Sequence, residues 1–152
     1  MTRQRRKLVV GTAGHIDHGK TTLVRQLTGT DTDRLPEEQS RGMSIELGFA
    51  KWVLGDGLEV DFIDVPGHER FVGTMTSGAS GIEAALLVVA VDDGVMPQTR
   101  EHLRILKLLD IENIVVLITK CDLADEEFVE WQREAVDEFL KSQHCNPVAV
   151  LP

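Results

Sequence analysis

The stretch GHIDHGKT, Gly14 to Thr21, fits G-x-x-x-x-G-K-[ST] and lies between an apolar run ending at Ala13 and a helical pattern starting near Lys20. No other feature constrains the fold as tightly. Gly14 and Gly19 let the backbone fold so that successive N–H groups point at one anion, and the following helix adds its positive dipole end. With average glycine usage of roughly 7%, a chance match in a chain of this length falls below about one in a hundred. The bland alternative is a glycine-rich turn with a helix cap. In the phosphate reading Lys20 reaches the β- and γ-phosphates of a nucleotide and the Thr21 hydroxyl ligates Mg²⁺. The pattern alone does not separate ATP from GTP, or a kinase from a hydrolase.

A loop of this kind needs a strand before it and a helix after it, and the rest of the chain repeats that alternation. Apolar runs at Leu8 to Ala13, Leu47 to Leu54, Leu58 to Ile63, Ala84 to Val91 and Ile114 to Ile118 predict strands. Helical patterns cover about Thr21 to Leu27, Pro97 to Leu109 and Glu126 to Ser142. "LGDGL", residues 54 to 58, predicts a tight turn between two antiparallel strands. Fully apolar strands such as "AALLVVAV" suit a parallel sheet covered on both faces. The expected fold is a three-layer α/β/α sandwich, mostly parallel with one antiparallel hairpin strand, forming one domain over residues 1–152. Val148 to Leu151 predicts a last short strand. The final helix places Phe128, Trp131, Ala135, Val136, Phe139 and Leu140 on one apolar face, leaving no large apolar helix face for a partner, and a monomer is expected. Residues 29–46 are polar and aperiodic, longer than an ordinary connection, which marks a functional loop.

Charge narrows the partners. The net charge of −9 sits mostly in the second half, where residues 122–139 hold eight acids against one arginine. Such a domain is not by itself a strong RNA or DNA binder. The basic start "MTRQRRK" reads as a solvated tail, and the apolar run behind it is too short for a signal peptide or membrane span. Cys121 and Cys145 have no metal-ligand spacing and read as reduced thiols, so a cytoplasmic location is expected. The five histidines, His15, His18, His68, His102 and His144, form no zinc-ligand set.

Two further motifs address the nucleotide. "DVPG", Asp64 to Gly67, follows a strand about forty residues after the first motif. Asp64 there can hold Mg²⁺ through water, and Gly67 can offer its N–H to a γ-phosphate; a plain turn is the alternative. "TKCD", Thr119 to Asp122, ends another strand, where ligands bind in open α/β sheets. Asp122 could accept from N1–H and N2–H₂ of guanine, or it could cap the helix after it. Three motifs on three strand ends, in this order, predict a guanine-nucleotide switch. His68, two residues beyond Pro66, is then either a water-positioning group or an exposed imidazole.

"GHIDHGKTTL", "RGMSIELGFA", "DVPGHERF" and "MPQTREHL" resemble the GTPase domain of translation factors in the elongation factor Tu superfamily. Within it, "DTDRLPEEQSRGMSIELGFA" with "TKCD" is similar to the bacterial selenocysteine-specific elongation factors. The resemblance implies that Gly14, His15, Ile16, Asp17, His18, Gly19, Lys20, Thr21 and Thr22 cradle the phosphates of GTP or GDP. It implies Thr21 and Ser44 as Mg²⁺ ligands, with Asp64 holding the metal through water. By the same similarity Asp17 coordinates a monovalent cation, K⁺ or Na⁺, although an Asp turning the loop explains it too. Residues 29–46 match switch I, and residues 64 to about 80 match a switch II loop. His68 would orient the attacking water past an apolar gate of Ile16 and Met43, and Lys20 would neutralise charge on the phosphates. Thr119, Lys120 and Asp122 would hold guanine. The implied partners are the ribosome and selenocysteyl-tRNA, met through a full-length factor.

The sequence departs from that family's usual pattern at Ser44, where threonine is usual, and at Thr119, where most guanine-binding GTPases carry asparagine. A threonine hydroxyl offers one donor, to guanine or to the phosphate loop, where an amide offers two. The family's Ser-Ala guanine motif would begin just beyond Pro152, so the resemblance implies a domain cut short of it. A sister GTPase carrying another aminoacyl-tRNA and a nucleotide-binding fragment without useful hydrolysis are the rival readings.

Overall fold

The computed structural model describes residues 6–32, 48–55, 57–65, 68–76 and 81–152, with the backbone alone for residues 68–70 and 76. Among the described residues, six strands form one sheet: β1 (Arg6–Gly14), β2 (Gly48–Val53), β3 (Leu58–Asp64), β4 (Ala84–Ala90), β5 (Asn113–Thr119) and β6 (Ala149–Leu151). Their order is β2-β3-β1-β4-β5-β6. Only β2 with β3 is antiparallel; β1 with β3, β1 with β4, β4 with β5 and β5 with β6 are parallel. The "LGDGL" turn closes the antiparallel pair, with Leu54 N–H donating to Leu58 O at 2.9 Å and Gly57, at φ 88°, donating to Leu54 O at 3.0 Å.

Among the described residues, four helices connect the strands: α1 (Lys20–Thr28), α2 (His68–Thr76), α3 (Pro97–Leu108) and α4 (Glu126–Ser142). Strand alternation sends successive residues of one strand to opposite faces, and the cores show it. Ala85, Leu87 and Val89 of β4 join a core with Phe71, Met75, Leu103, Leu106, Val136 and Leu140 of α2, α3 and α4. Ala84 and Leu86 of the same strand pack toward a second core with Val24 of α1, Val10, Val60 and Phe62. The sheet thus has helices on both faces, as the unbroken apolar strands predict. Closing parallel strands through helices also brings the C-terminal ends of β1, β3, β4 and β5 to one edge.

Two expectations fail. The segment read as a switch II loop contains a helix, α2, whose Phe71 and Met75 stand one turn apart and are buried. That i, i+4 pair anchors the segment against α3 despite Gly73, Thr74 and Thr76, which weaken helical propensity. The apolar face of α4 is also not the one expected. Its buried stripe is Gln132, Val136 and Leu140, while Phe128 is 41% and Trp131 59% exposed. Gln132 lies inward because Gly94 has no side chain: a Cβ there would stand 2.1 Å from Gln132 Nε2. The stripe is therefore rotated toward 132, and the Phe128 and Trp131 rings, 5.4 Å between centroids, remain as an apolar patch that the sequence reading did not expect.

Candidate functional site

The phosphate loop joins β1 to α1 and is tied down at both ends. Gly14 has φ 132°, and a Cβ on it would lie 2.3 Å from Val88 O, so β1 and β4 can close here only around glycine. Its N–H donates to His102 Nδ1 at 2.9 Å. Gly19, at φ 91° and ψ 24°, is the N-cap of α1; no side chain caps this helix and its first turn holds no acid. Those backbone donors and the dipole end are what an anion uses. Further along the loop, Ile16 N–H donates to Gln98 Oε1 at 3.2 Å. Asp17 is exposed with a left-handed backbone, φ 62°, a conformation Asp tolerates, which fits the turn reading of that residue. Thr22 is exposed on the first turn of α1.

Lys20 folds over the loop, its Nζ donating to Gly14 O at 2.9 Å and His15 O at 3.2 Å. Burial pushes its pKa down from 10.5 to about 8, against the opposing pull of Asp64 and Asp17. An anion brought to this ammonium relieves that penalty.

Below the lysine, Asp64 at the end of β3 is buried among hydroxyls. Its Oδ2 accepts from Thr21 Oγ1 at 2.6 Å and from Thr32 Oγ1 at 2.9 Å, and its Oδ1 accepts from Thr12 Oγ1 at 2.9 Å. Thr12 Oγ1 in turn accepts from Val65 N–H at 3.2 Å. Two of the three residues expected around Mg²⁺, Thr21 and Asp64, thus meet directly, and a hydroxyl beside a carboxylate is the hard oxygen set that Mg²⁺ takes alongside phosphate. The residues present fit the ion. Ser44, Met43 and Gly67 lie outside the described residues, as does the side chain of His68, whose backbone begins α2.

His18 is fully buried. Its buried ring accepts from Ala90 N–H through Nδ1 at 3.2 Å, so Nε2 carries the proton and donates to Asp93 Oδ2 at 3.2 Å. Burial first, then nearby His15, holds its pKa below the usual histidine value, which keeps the ring neutral. The His15 ring sits 5.2 Å from it, with a buried Nδ1 that has no partner among the described residues.

The TKCD segment, Thr119 to Asp122, lies against the same loop. Thr119 donates its hydroxyl to His18 O at 2.6 Å, and Gly19 is its neighbour. Lys120, left-handed at φ 58°, places its Nζ 3.9 Å from Asp92 Oδ2. Asp122 is exposed in the short turn Cys121–Leu123. It does not cap the next helix: Asp125 does, accepting from Phe128 N–H at 2.8 Å. Of the two roles open to Asp122, the cap is removed.

Sequence reasoning missed Thr12, Thr32, Asp93, Gln98 and His102. The motif "MPQTREHL" carries the last two, and polar residues recurring on a helix's inner face are the signal that could have flagged them.

The model of the elongation factor Tu GTP binding domain matches residues 5–152. A selenocysteine-specific elongation factor of Desulfomicrobium baculatum is 51% identical over 145 residues, 95% of this chain and 23% of its own length. That of Escherichia coli K12 is 54% identical over 134 residues, 88% of this chain and 22% of its own length. The crystal structure of bacterial selenocysteine-specific elongation factor EF-Sec superposes with a TM-score of 0.85 at 44% identity, covering 96% of this chain and 26% of that one. The chain therefore spans about a quarter of the length of the relatives it matches.

Proposed function

The chain belongs to the elongation factor Tu GTP-binding domain family, and from that membership we propose that it is the nucleotide switch of a factor that delivers selenocysteyl-tRNA to the ribosome. It binds GTP and hydrolyses it: water attacks the γ-phosphorus, the bond to the β-phosphate oxygen breaks, and GDP and phosphate leave. The observation that supports this best is the convergence of Asp64 and Thr119, from the ends of β3 and β5, on the segment Gly14 to Thr21 over which Lys20 folds. The selenocysteine part follows the relatives, which bear that name over nearly all of this chain.

Each residue has a task. The loop amides from Gly14 to Thr22 and the N-terminus of α1 hold the phosphates, and Lys20 neutralises the β- and γ-oxygens. Thr21 and Ser44 would hold Mg²⁺ directly and Asp64 through water, and the ion would supply screening of charge on the transferred phosphoryl group. Asp122 accepts from the guanine N1–H and N2–H₂, while the stem of Lys120 lies along the base. His68, the first residue of α2, positions the attacking water.

Titrating the chain with GTP, GDP and ATP tests the reading; ATP bound as tightly as GTP contradicts it. In the full-length factor, His68→Ala is expected to slow ribosome-triggered hydrolysis sharply with GTP binding retained, and an equal triggered rate removes His68 from the mechanism.

A further inference from the structure

Helix α3 reaches both the phosphate loop and α2 through one side chain. The His102 imidazole is buried at 1% exposure, and its Nδ1 accepts from Gly14 N–H at 2.9 Å. Its face lies on Phe71 of α2, 3.8 Å between ring centroids and 16° between planes. A nitrogen that accepts from an amide holds a free lone pair, so the ring is neutral and its proton is on Nε2.

Both contacts are stiff. Gly14 is locked in register with Val88 of β4, with the Val88 carbonyl filling the space where a Cβ would be. Phe71 is fully buried, and with Met75 it forms the inner side of α2. A shift of α2 that moves Phe71 therefore displaces the imidazole, and a displaced imidazole leaves the Gly14 N–H without its acceptor. Sequence separation makes the link non-local: His102 lies 88 residues from Gly14.

We propose that His102 is a positioning residue that couples the phosphate loop to the placement of α2, so that the nucleotide held by the loop is read out in that helix. The inference rests on the nucleotide-switch reading and adds to it the residue that transmits the switch. Two properties of the ring are needed at once, an acceptor aimed at Gly14 and a flat face against Phe71. They can be separated: His102→Asn keeps an acceptor and loses the face, whereas His102→Phe keeps the face and loses the acceptor.

The test is amide hydrogen exchange across residues 68–76 of the chain, with GDP and with a non-hydrolysable GTP analogue. In the wild type, α2 exchange is expected to differ between the two nucleotides by about fivefold or more; in His102→Asn, His102→Phe and Phe71→Leu the difference shrinks to within about twofold. Exchange in β5 serves as the control for an intact fold, and Phe71→Leu decides the matter should a His102 variant fail to fold. A folded variant that binds both nucleotides and keeps the full wild-type difference overturns the proposal, as does a wild type that binds both and shows none. Failure of the wild type to bind either nucleotide overturns the functional reading itself, and this inference with it.

Discussion

The Thr119 hydroxyl donates to the His18 carbonyl oxygen at 2.6 Å, which ties the TKCD segment directly to the loop between β1 and α1. A threonine has one donor, so this bond leaves position 119 none for the base. In the proposed reading, discrimination of guanine then falls to Asp122. Thr119→Val is expected to weaken GDP and GTP together by about three- to tenfold, the net worth of one partly buried hydrogen bond. Asp122→Ala instead lowers the preference for GTP over ATP by about a hundredfold, because two bonds to a charged acceptor are lost. Competition binding with the three nucleotides separates the two effects.

Burial of the Lys20 ammonium costs the ligand-free chain stability. Its folded pKa of about 8 lies below the ordinary 10.5, so between those values the unfolded chain binds the extra proton. Stability therefore rises with pH across that window, and the penalty is fully present below about pH 8. Lys20→Met is expected to stabilise the ligand-free chain at pH 7 by about 1–3 kcal/mol, reduced by the loss of two hydrogen bonds to loop carbonyls. The advantage fades as pH approaches 10.5, and the variant gains no further stability from added GDP. Urea melts at pH 7 and pH 9, with and without GDP, check all three points.

What the sequence could show depended on whether a signal was local. Strands β1, β4 and β5 were legible because a buried parallel strand is apolar throughout, and the loop between β1 and α1 because Gly14 and Gly19 mark its two ends. Helix α2 was not, because "HERFVGTMT" offers only Phe71 and Met75 as an apolar pair and follows a Pro-Gly turn. The hydroxyls around Asp64 were also hidden. Thr12 and Thr32 come from β1 and from the segment beyond α1, and nothing near either residue announces a carboxylate 52 or 32 positions away. In the same way His102 reads as one more residue on a helix until the fold sets Gly14 against it.

The ends of α3 and α4 carry a removable strain. Asp110 and His144 stand in the left-handed region at φ 56° and 52°, each just past a helix. The next residues close the helix ends, Ile111 N–H donating to Leu106 O at 3.0 Å and Cys145 N–H to Leu140 O at 2.9 Å. Glycine is the usual residue at such a position because it has no Cβ to crowd the backbone. Asp110→Gly and His144→Gly are each expected to stabilise the chain by about 0.5–1 kcal/mol, somewhat less for Asp110 because Asp tolerates the region better than His. Denaturant midpoints measured at constant m-value show the gain.

The two glycines that frame the phosphate loop respond differently to the same substitution. Gly19 has positive φ, but a Cβ there meets only Thr119, at 3.8 Å, an ordinary contact. Gly19→Ala therefore costs only the left-handed strain of about 1–2 kcal/mol, and weakens nucleotide binding in proportion. At Gly14 the same Cβ would stand 2.3 Å from Val88 O, a backbone atom that β4 cannot move without leaving register with β1. Gly14→Ala must part the two central strands or rotate the peptide, and either movement takes the Gly14 N–H from His102 and the Gly14 carbonyl from Lys20. Its expected cost is about 3 kcal/mol or more, with nucleotide-dependent stabilisation abolished. Thermal melts of both variants with and without GDP decide the ranking: a Gly14→Ala chain as stable and as responsive as Gly19→Ala would mean that the close approach of β1 to β4 does not set the shape of the loop.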